Sequence, residues 1–97
     1  MYNKPLPVGS IVRLTGGTKR LMILGYLRYV NNDKSVIADY SGCLFPEGFV
    51  SPSENYLFNH ENIDCIYALG YCDEKQEKFS EQLLEHFKNS KGKVEFE

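Results

Sequence analysis

Two β-rich runs joined by a glycine-rich polar turn span Val8 to Val30, and this long hairpin sets what the rest of the chain can build on. The first run is Val8-Gly9-Ser10-Ile11-Val12-Arg13-Leu14-Thr15, in which Ser10, Val12 and Leu14 share one face and Ile11, Arg13 and Thr15 the other. Gly16 and Gly17 suit the tight turn, since glycine reaches positive φ at no steric cost. The second run, Leu21 to Val30, puts Leu21, Ile23, Gly25 and Leu27 on one face and Met22, Leu24 and Tyr26 on the other. Apolar residues on both faces at its start place it centrally in a sheet, and Gly25 inside it marks a bulge or bend.

The leader before the hairpin carries Pro5 and Pro7, which hold Lys4 and Leu6 extended. After it, Asn31 to Lys34 reads as a turn and Ser35 to Tyr40 as a third strand. The stretch from Tyr40 to Asn55 has two glycines and two prolines. It reads as a long loop with a short extended piece at Cys43 to Phe45, and long loops in small domains are often functional. Tyr56 to Phe58 is a short apolar strand, and Asn59 to Asp64 a single helical turn with Asn59 as N-cap. Cys65 to Tyr71 reads as the last strand, with a helix as the alternative; Ile66, Tyr67 and the break at Gly70 favour the strand.

At Asp73 the period changes. Asp73 with Gln76 has the capping-box spacing, and Phe79, Leu83, Leu84 and Phe87 recur at helical intervals. The spacing predicts an amphipathic helix over Glu74 to Asn89, stopped near Gly92, with residues 91–97 as a flexible tail. The fold class is therefore α+β: one domain over residues 1–97, its β-rich core over 6–71. The core is a small bent antiparallel sheet, or a barrel-like one, of about five strands, with one C-terminal helix.

With 97 residues, 42% hydrophobic and 25% charged, the chain has the composition of a single folded domain. A net charge of −2 supplies no basic field for a phosphate backbone, so a nucleic-acid partner is not expected. No apolar run approaches the length that spans a bilayer, and the first residues have no apolar signal-peptide segment. Three cysteines at irregular spacing do not make a disulfide framework. The expectation is a cytoplasmic protein without membrane insertion.

Several constellations invite chemistry. Gly16-Gly17-Thr18-Lys19 superficially matches a phosphate loop, but a strand follows where a phosphate loop needs a helix N-terminus, so a hairpin turn is the better reading. Cys43, Cys65, Cys72, His60 and His86 lack the short-range pairs that build zinc sites, and no metal or other cofactor is expected. Cys43 or Cys65 with His60 forms a nucleophile–base pair only if a third orienting group and an oxyanion site exist; the sequence identifies neither. Asp39, Glu47, Glu54, Glu61 and Asp64 have no spacing that fixes an acid–base pair and suit loop solvation and capping. The aromatic residues Tyr40, Phe45, Phe49, Tyr56 and Phe58, with His60, are the candidate partner-binding set: each ring either closes the core or faces a partner. The helix stripe packs on the sheet in the simplest reading, or enters a partner's groove if it protrudes.

Five segments taken in order carry a resemblance: Leu6 to Val12; Gly16 to Lys19 followed by Leu21-Met22-Ile23; Tyr40 to Gly48; Tyr56 to Glu61 with Ile63-Asp64; and Gly70-Tyr71. Together they resemble a small bacterial family, the domain of unknown function 4176, over about Leu6 to Tyr71, with Cys65 standing where a polar residue is expected. The resemblance implies a small cytosolic protein of Gram-positive bacteria, often encoded beside type VII secretion components and LXG-type toxins. It implies an accessory, adaptor or chaperone-like role toward a secreted toxin or export component, with no catalytic residue. An immunity protein for a neighbouring toxin, or a small ligand-binding or enzymatic domain using Cys43 and His60, are the alternatives.

Overall fold

A computed structural model describes residues 4–30 and 33–93, with side chains over 4–30 and 36–87. Five strands and one long helix follow in order: β1 (Ile11–Leu14), β2 (Arg20–Val30), β3 (Asp33–Phe45), β4 (Tyr56–Phe58), β5 (Ile63–Ala68) and α1 (Glu74–Lys93). Single turns of 3₁₀ helix, Pro52–Glu54 and His60–Asn62, flank β4. The sheet is antiparallel throughout and open, ordered β4-β3-β2-β1-β5, so β4 and β5 are its edges. The fold is the α+β sheet with one C-terminal helix that the patterning implies, in its open rather than its barrel form.

The opening hairpin forms as its sequence dictates. Val12 pairs with Leu21 and Ile11 with Met22, so Val12, Leu21 and Ile23 turn into the core while Arg13, Arg20 and Met22 turn away. Beyond Ile23 the expected face assignment changes. The register passes from Ile23↔Gly42 to Gly25↔Ser41 and Tyr26↔Tyr40, which leaves Leu24 as an extra residue. This bulge, expected from Gly25, reverses the strand's phase and brings Tyr26 to the core side instead of the opposite face. Leu27 follows with φ of 55°, a left-handed conformation that costs about 1 kcal/mol and leaves its side chain packed against the core.

The largest departure from expectation is in the third strand. It does not give way to a loop at Tyr40 but continues to Phe45, where Pro46 follows. Each residue from Ser41 to Phe45 pairs with β2, and Gly42, which reads as a loop residue, is there because there is no room for a side chain. A Cβ on Gly42 would stand 2.8 Å from the Met22 carbonyl oxygen and 3.1 Å from the Phe58 ring. The loop is thus confined to the segment between β3 and β4.

Other boundaries shift by less. The last strand begins at Ile63, because Ile63 is buried opposite Leu14, and ends at Ala68 instead of Tyr71. The chain leaves the sheet at Gly70, whose N–H donates to Ser10 Oγ over 2.9 Å. The helical turn expected over Asn59 to Asp64 is limited to His60–Asn62. The helix runs past Asn89 and through Gly92 to Lys93, since an interior glycine lowers helix stability by only about 1 kcal/mol. Residues 94–97 of the expected tail, and Asn31 and Asn32 of the expected turn, lie outside the described residues, and Asp33 and Lys34 already belong to β3.

The core lies between one face of the sheet and α1: Leu6, Val12, Leu21, Ile23, Tyr40, Phe58, Ile63, Leu83 and Phe87. Asp73 caps the helix as its sequence predicts, accepting the Gln76 N–H at 3.0 Å. The buried side of the helix is Ser80, Leu83 and Phe87, while Phe79 remains largely exposed with its ring 5.8 Å from that of Tyr26. Tyr40 is the hub: its ring meets Phe58 and Phe87 at 5.5 Å, Tyr26 at 5.8 Å and His60 at 5.9 Å.

Candidate partner-binding surface

The six candidate residues divide into two groups. Tyr40 and Phe58 are buried, and His60 is half-buried against them. Phe45, Phe49 and Tyr56 are exposed. Tyr40 and Phe58 pair across β3 and β4 on the core side, whereas Phe45 is an odd number of residues from Tyr40 and leaves β3 on the other side; Tyr56 shares the parity of Phe58 but is exposed at the start of the edge strand β4, and Phe49 lies in the loop before it.

The inner group is a polar clasp as well as an aromatic one. The Tyr40 hydroxyl accepts the Leu6 N–H at 3.0 Å and lies 2.7 Å from His60 Nδ1, where it donates when that nitrogen carries no proton. Tyr26 donates to the Leu6 carbonyl, so two tyrosines hold both backbone groups of Leu6 and draw Pro5 to Pro7 into the interior. Beside them, buried Asp39 accepts the His60 N–H at 2.9 Å and its own N–H donates to Asn59 Oδ1 at 3.0 Å. Asn59 N–H in turn donates to Asn62 Oδ1 at 2.8 Å. These bonds fasten the β4–β5 turn to the middle of β3. Burial raises the Tyr26 hydroxyl above the usual phenol range, against smaller opposing contributions from hydrogen bonding to Gln76 and to the backbone at Val8.

The constellations considered for chemistry are not brought together. Cys43 is buried on the face of β3 opposite to Tyr40, so the strand separates it from His60. Cys65 is half-buried beside Arg13 on β5, Cys72 is exposed, and all three thiols are free. Among the described residues no cluster of three or more histidines, cysteines or carboxylates is placed to hold a metal ion. Asp64 pairs with Arg13 over 3.1 Å, and this contact raises the guanidinium above its ordinary value. Among the described residues no helix is long and apolar enough to cross a membrane.

The outer group is the surface proper. Phe45 ends β3, with the Arg20 guanidinium 5.3 Å from its ring centre. The loop that follows carries Phe49 and Val50, 55% and 64% exposed, before β4 presents Tyr56 and Leu57. Val50 and Leu57 were not among the sequence candidates; adjacency to Phe49 and Tyr56 was the available signal. A second exposed apolar group also escaped sequence reading: Val8, Tyr67, Leu69 and Tyr71, around the end of β5. Ile66, Tyr67 and the break at Gly70 favour a strand through Tyr71; Tyr67 is exposed within β5 itself, and the chain's departure from the sheet after Ala68 leaves Leu69 and Tyr71 in solvent.

Neither a curated protein nor a solved structure matches this chain. A family model does, over residues 5–79, from the buried leader through all five strands to the first turns of α1. That span includes every residue of the surface described above, and it establishes that the chain belongs to the domain of unknown function family DUF4176.

Proposed function

We propose that this protein is a non-enzymatic adaptor or chaperone-like accessory that binds another protein in the cytoplasm, through the surface from Phe45 to Leu57. The observation that carries the reading is the run of exposed apolar side chains Phe45, Phe49, Val50, Tyr56 and Leu57 along one continuous stretch of chain. Exposed apolar side chains that group into one patch mark sites of protein contact, and aromatic residues are prominent among the anchors of such sites. The family setting supports taking the partner from the type VII secretion pathway: a secreted LXG-type toxin or an export component. Tyr40, Phe58 and His60 serve the same function from behind, by fixing β4 against β3, the two strands that flank the surface.

Co-expression with the neighbouring secreted toxin tests this. The wild-type chain is expected to co-purify with the toxin and raise its export, and Phe49→Ser with Val50→Ser to lose both while keeping its thermal midpoint. A chain that stays alone with every neighbouring gene product contradicts the reading. Protection of growth without any change in export assigns an immunity role instead.

A further inference from the structure

The face of the sheet turned away from α1 joins apolar and cationic side chains in register. Ile11 and Met22 stand directly opposite one another on β1 and β2. In the next row Arg13 stands opposite Arg20, and Arg20 opposite Phe45 on β3. Val12 and Leu21 are buried on the core side, so all five of these alternate residues project to the other side. Two like charges at directly opposed positions destabilise a strand pair. Asp64 relieves Arg13 at 3.1 Å. Arg20 is exposed, rests over the Phe45 ring, and has no carboxylate in ion-pair range among the described residues. A chain with a net charge of −2 thus leaves one guanidinium, that of Arg20, uncompensated at this place, beside two half-buried apolar side chains and an exposed aromatic ring.

We propose that this outer sheet face docks an acidic, apolar-anchored segment of the partner protein, with a carboxylate between Arg13 and Arg20 and an aliphatic side chain over Ile11 and Met22. The proposal rests on the protein-binding reading above and names the chemistry of the partner. A guanidinium presents its donors as a planar fork that matches a carboxylate, and one held over a ring is already oriented for it. Asp64 already pairs with Arg13, so the partner's carboxylate acts mainly on Arg20, the guanidinium left without one among the described residues. Phe45 belongs both to this face and to the exposed run before β4, which makes the two surfaces continuous.

The test is a nuclear magnetic resonance titration of the full chain with a synthetic amphipathic peptide bearing leucines on one side and glutamates flanking them. A lysine-for-glutamate version and an oligothymidine strand serve as controls. Amides of Ile11, Arg13, Arg20, Met22 and Phe45 are expected to shift with the acidic peptide alone. Affinity is expected to fall with added salt and to drop about tenfold in Arg20→Glu, the size of effect typical of an arginine anchor. Arg20→Lys should retain part of it. Shifts confined to other surfaces, equal binding of the basic peptide, or oligothymidine binding at these residues each overturn the proposal. Shifts at these same amides on raising protein concentration alone also overturn it, because they place a second copy on the face. If the co-expressed toxin is captured equally by wild type and Arg20→Glu, this inference fails while the adaptor reading stands. Failure of wild-type capture, by contrast, removes the reading itself.

Discussion

Tyr40 concentrates more of the fold in one side chain than any other residue. Its ring is the meeting point of β2, β4, the β4–β5 turn and α1, and its hydroxyl is hydrogen-bonded to Leu6 and His60. Tyr40→Phe keeps the ring and removes the oxygen, leaving the buried Leu6 N–H without that acceptor. The expected loss is about 1–3 kcal/mol, read from the urea midpoint at unchanged m-value. Gly70 is constrained differently. A Cβ there would come within 2.1 Å of the Val8 carbonyl oxygen, a backbone atom that cannot swing aside. Gly70→Ala is expected to cost about 2 kcal/mol or more and to detach the leader from the end of β5, seen as faster amide exchange at Gly9 and Gly70. The Tyr26 phenol sets an alkaline limit. Its pKa is raised in the folded state, so its contribution is fully present below the unfolded phenol value near about 10 and is lost as pH rises through the folded value. Stability measured from neutral pH upward should decline on that side, and Tyr26→Phe should flatten the decline.

At the scale of elements, α1 is held by few residues among those whose side chains are described. Leu83 and Phe87 are its buried apolar side chains, and Phe87 meets Tyr40 edge-on with an interplanar angle of 82°. Phe87→Ala is expected to cost about 3–5 kcal/mol and Leu83→Ala about 2–5 kcal/mol, measured by chemical denaturation. The exposed Phe79→Ala should cost far less. The helix was legible in the sequence because a cap, a period and an apolar stripe agree, and the opening hairpin was legible because alternation and turn agree. What stayed hidden has a common cause. Gly42 carries the local signature of a loop, and its actual reason, the approach of Phe58 and of the Met22 carbonyl, lies in other strands. The inward position of Tyr26 depends on which residue of β2 is the extra one, a matter of pairing with β3. The leader reads only as extended, because the tyrosines that hold Leu6 are distant in sequence. For the candidate surface, the aromatic cluster was visible as a cluster. Its division into inner and outer rings required the true extent of β3.

For the molecule as a whole, the single helix covers one face of an open sheet, and on the other face Arg13, Met22, Arg20 and Phe45 remain at least partly exposed. This division separates tasks. Substitutions at Leu83, Phe87 or Tyr40 act on folding, whereas Phe49, Val50 and Arg20 stand in solvent and are expected to alter the global stability by less than about 0.5 kcal/mol. A panel of these six, scored for both thermal midpoint and partner capture, should therefore fall into two non-overlapping groups. The bulge at Leu24 adds a last consequence, because it makes β2 a strand whose two halves count differently: odd-numbered Leu21 and Ile23 point inward before it, even-numbered Tyr26 after it. Deleting Leu24 would join Ile23 directly to Gly25 and restore an unbroken one-to-one ladder with β3, with Ile23 and Tyr26 both still inward. The residue that breaks the count is therefore the one β2 is expected to lose most easily, while Ile23, Gly25 and Tyr26 keep their partners on β3.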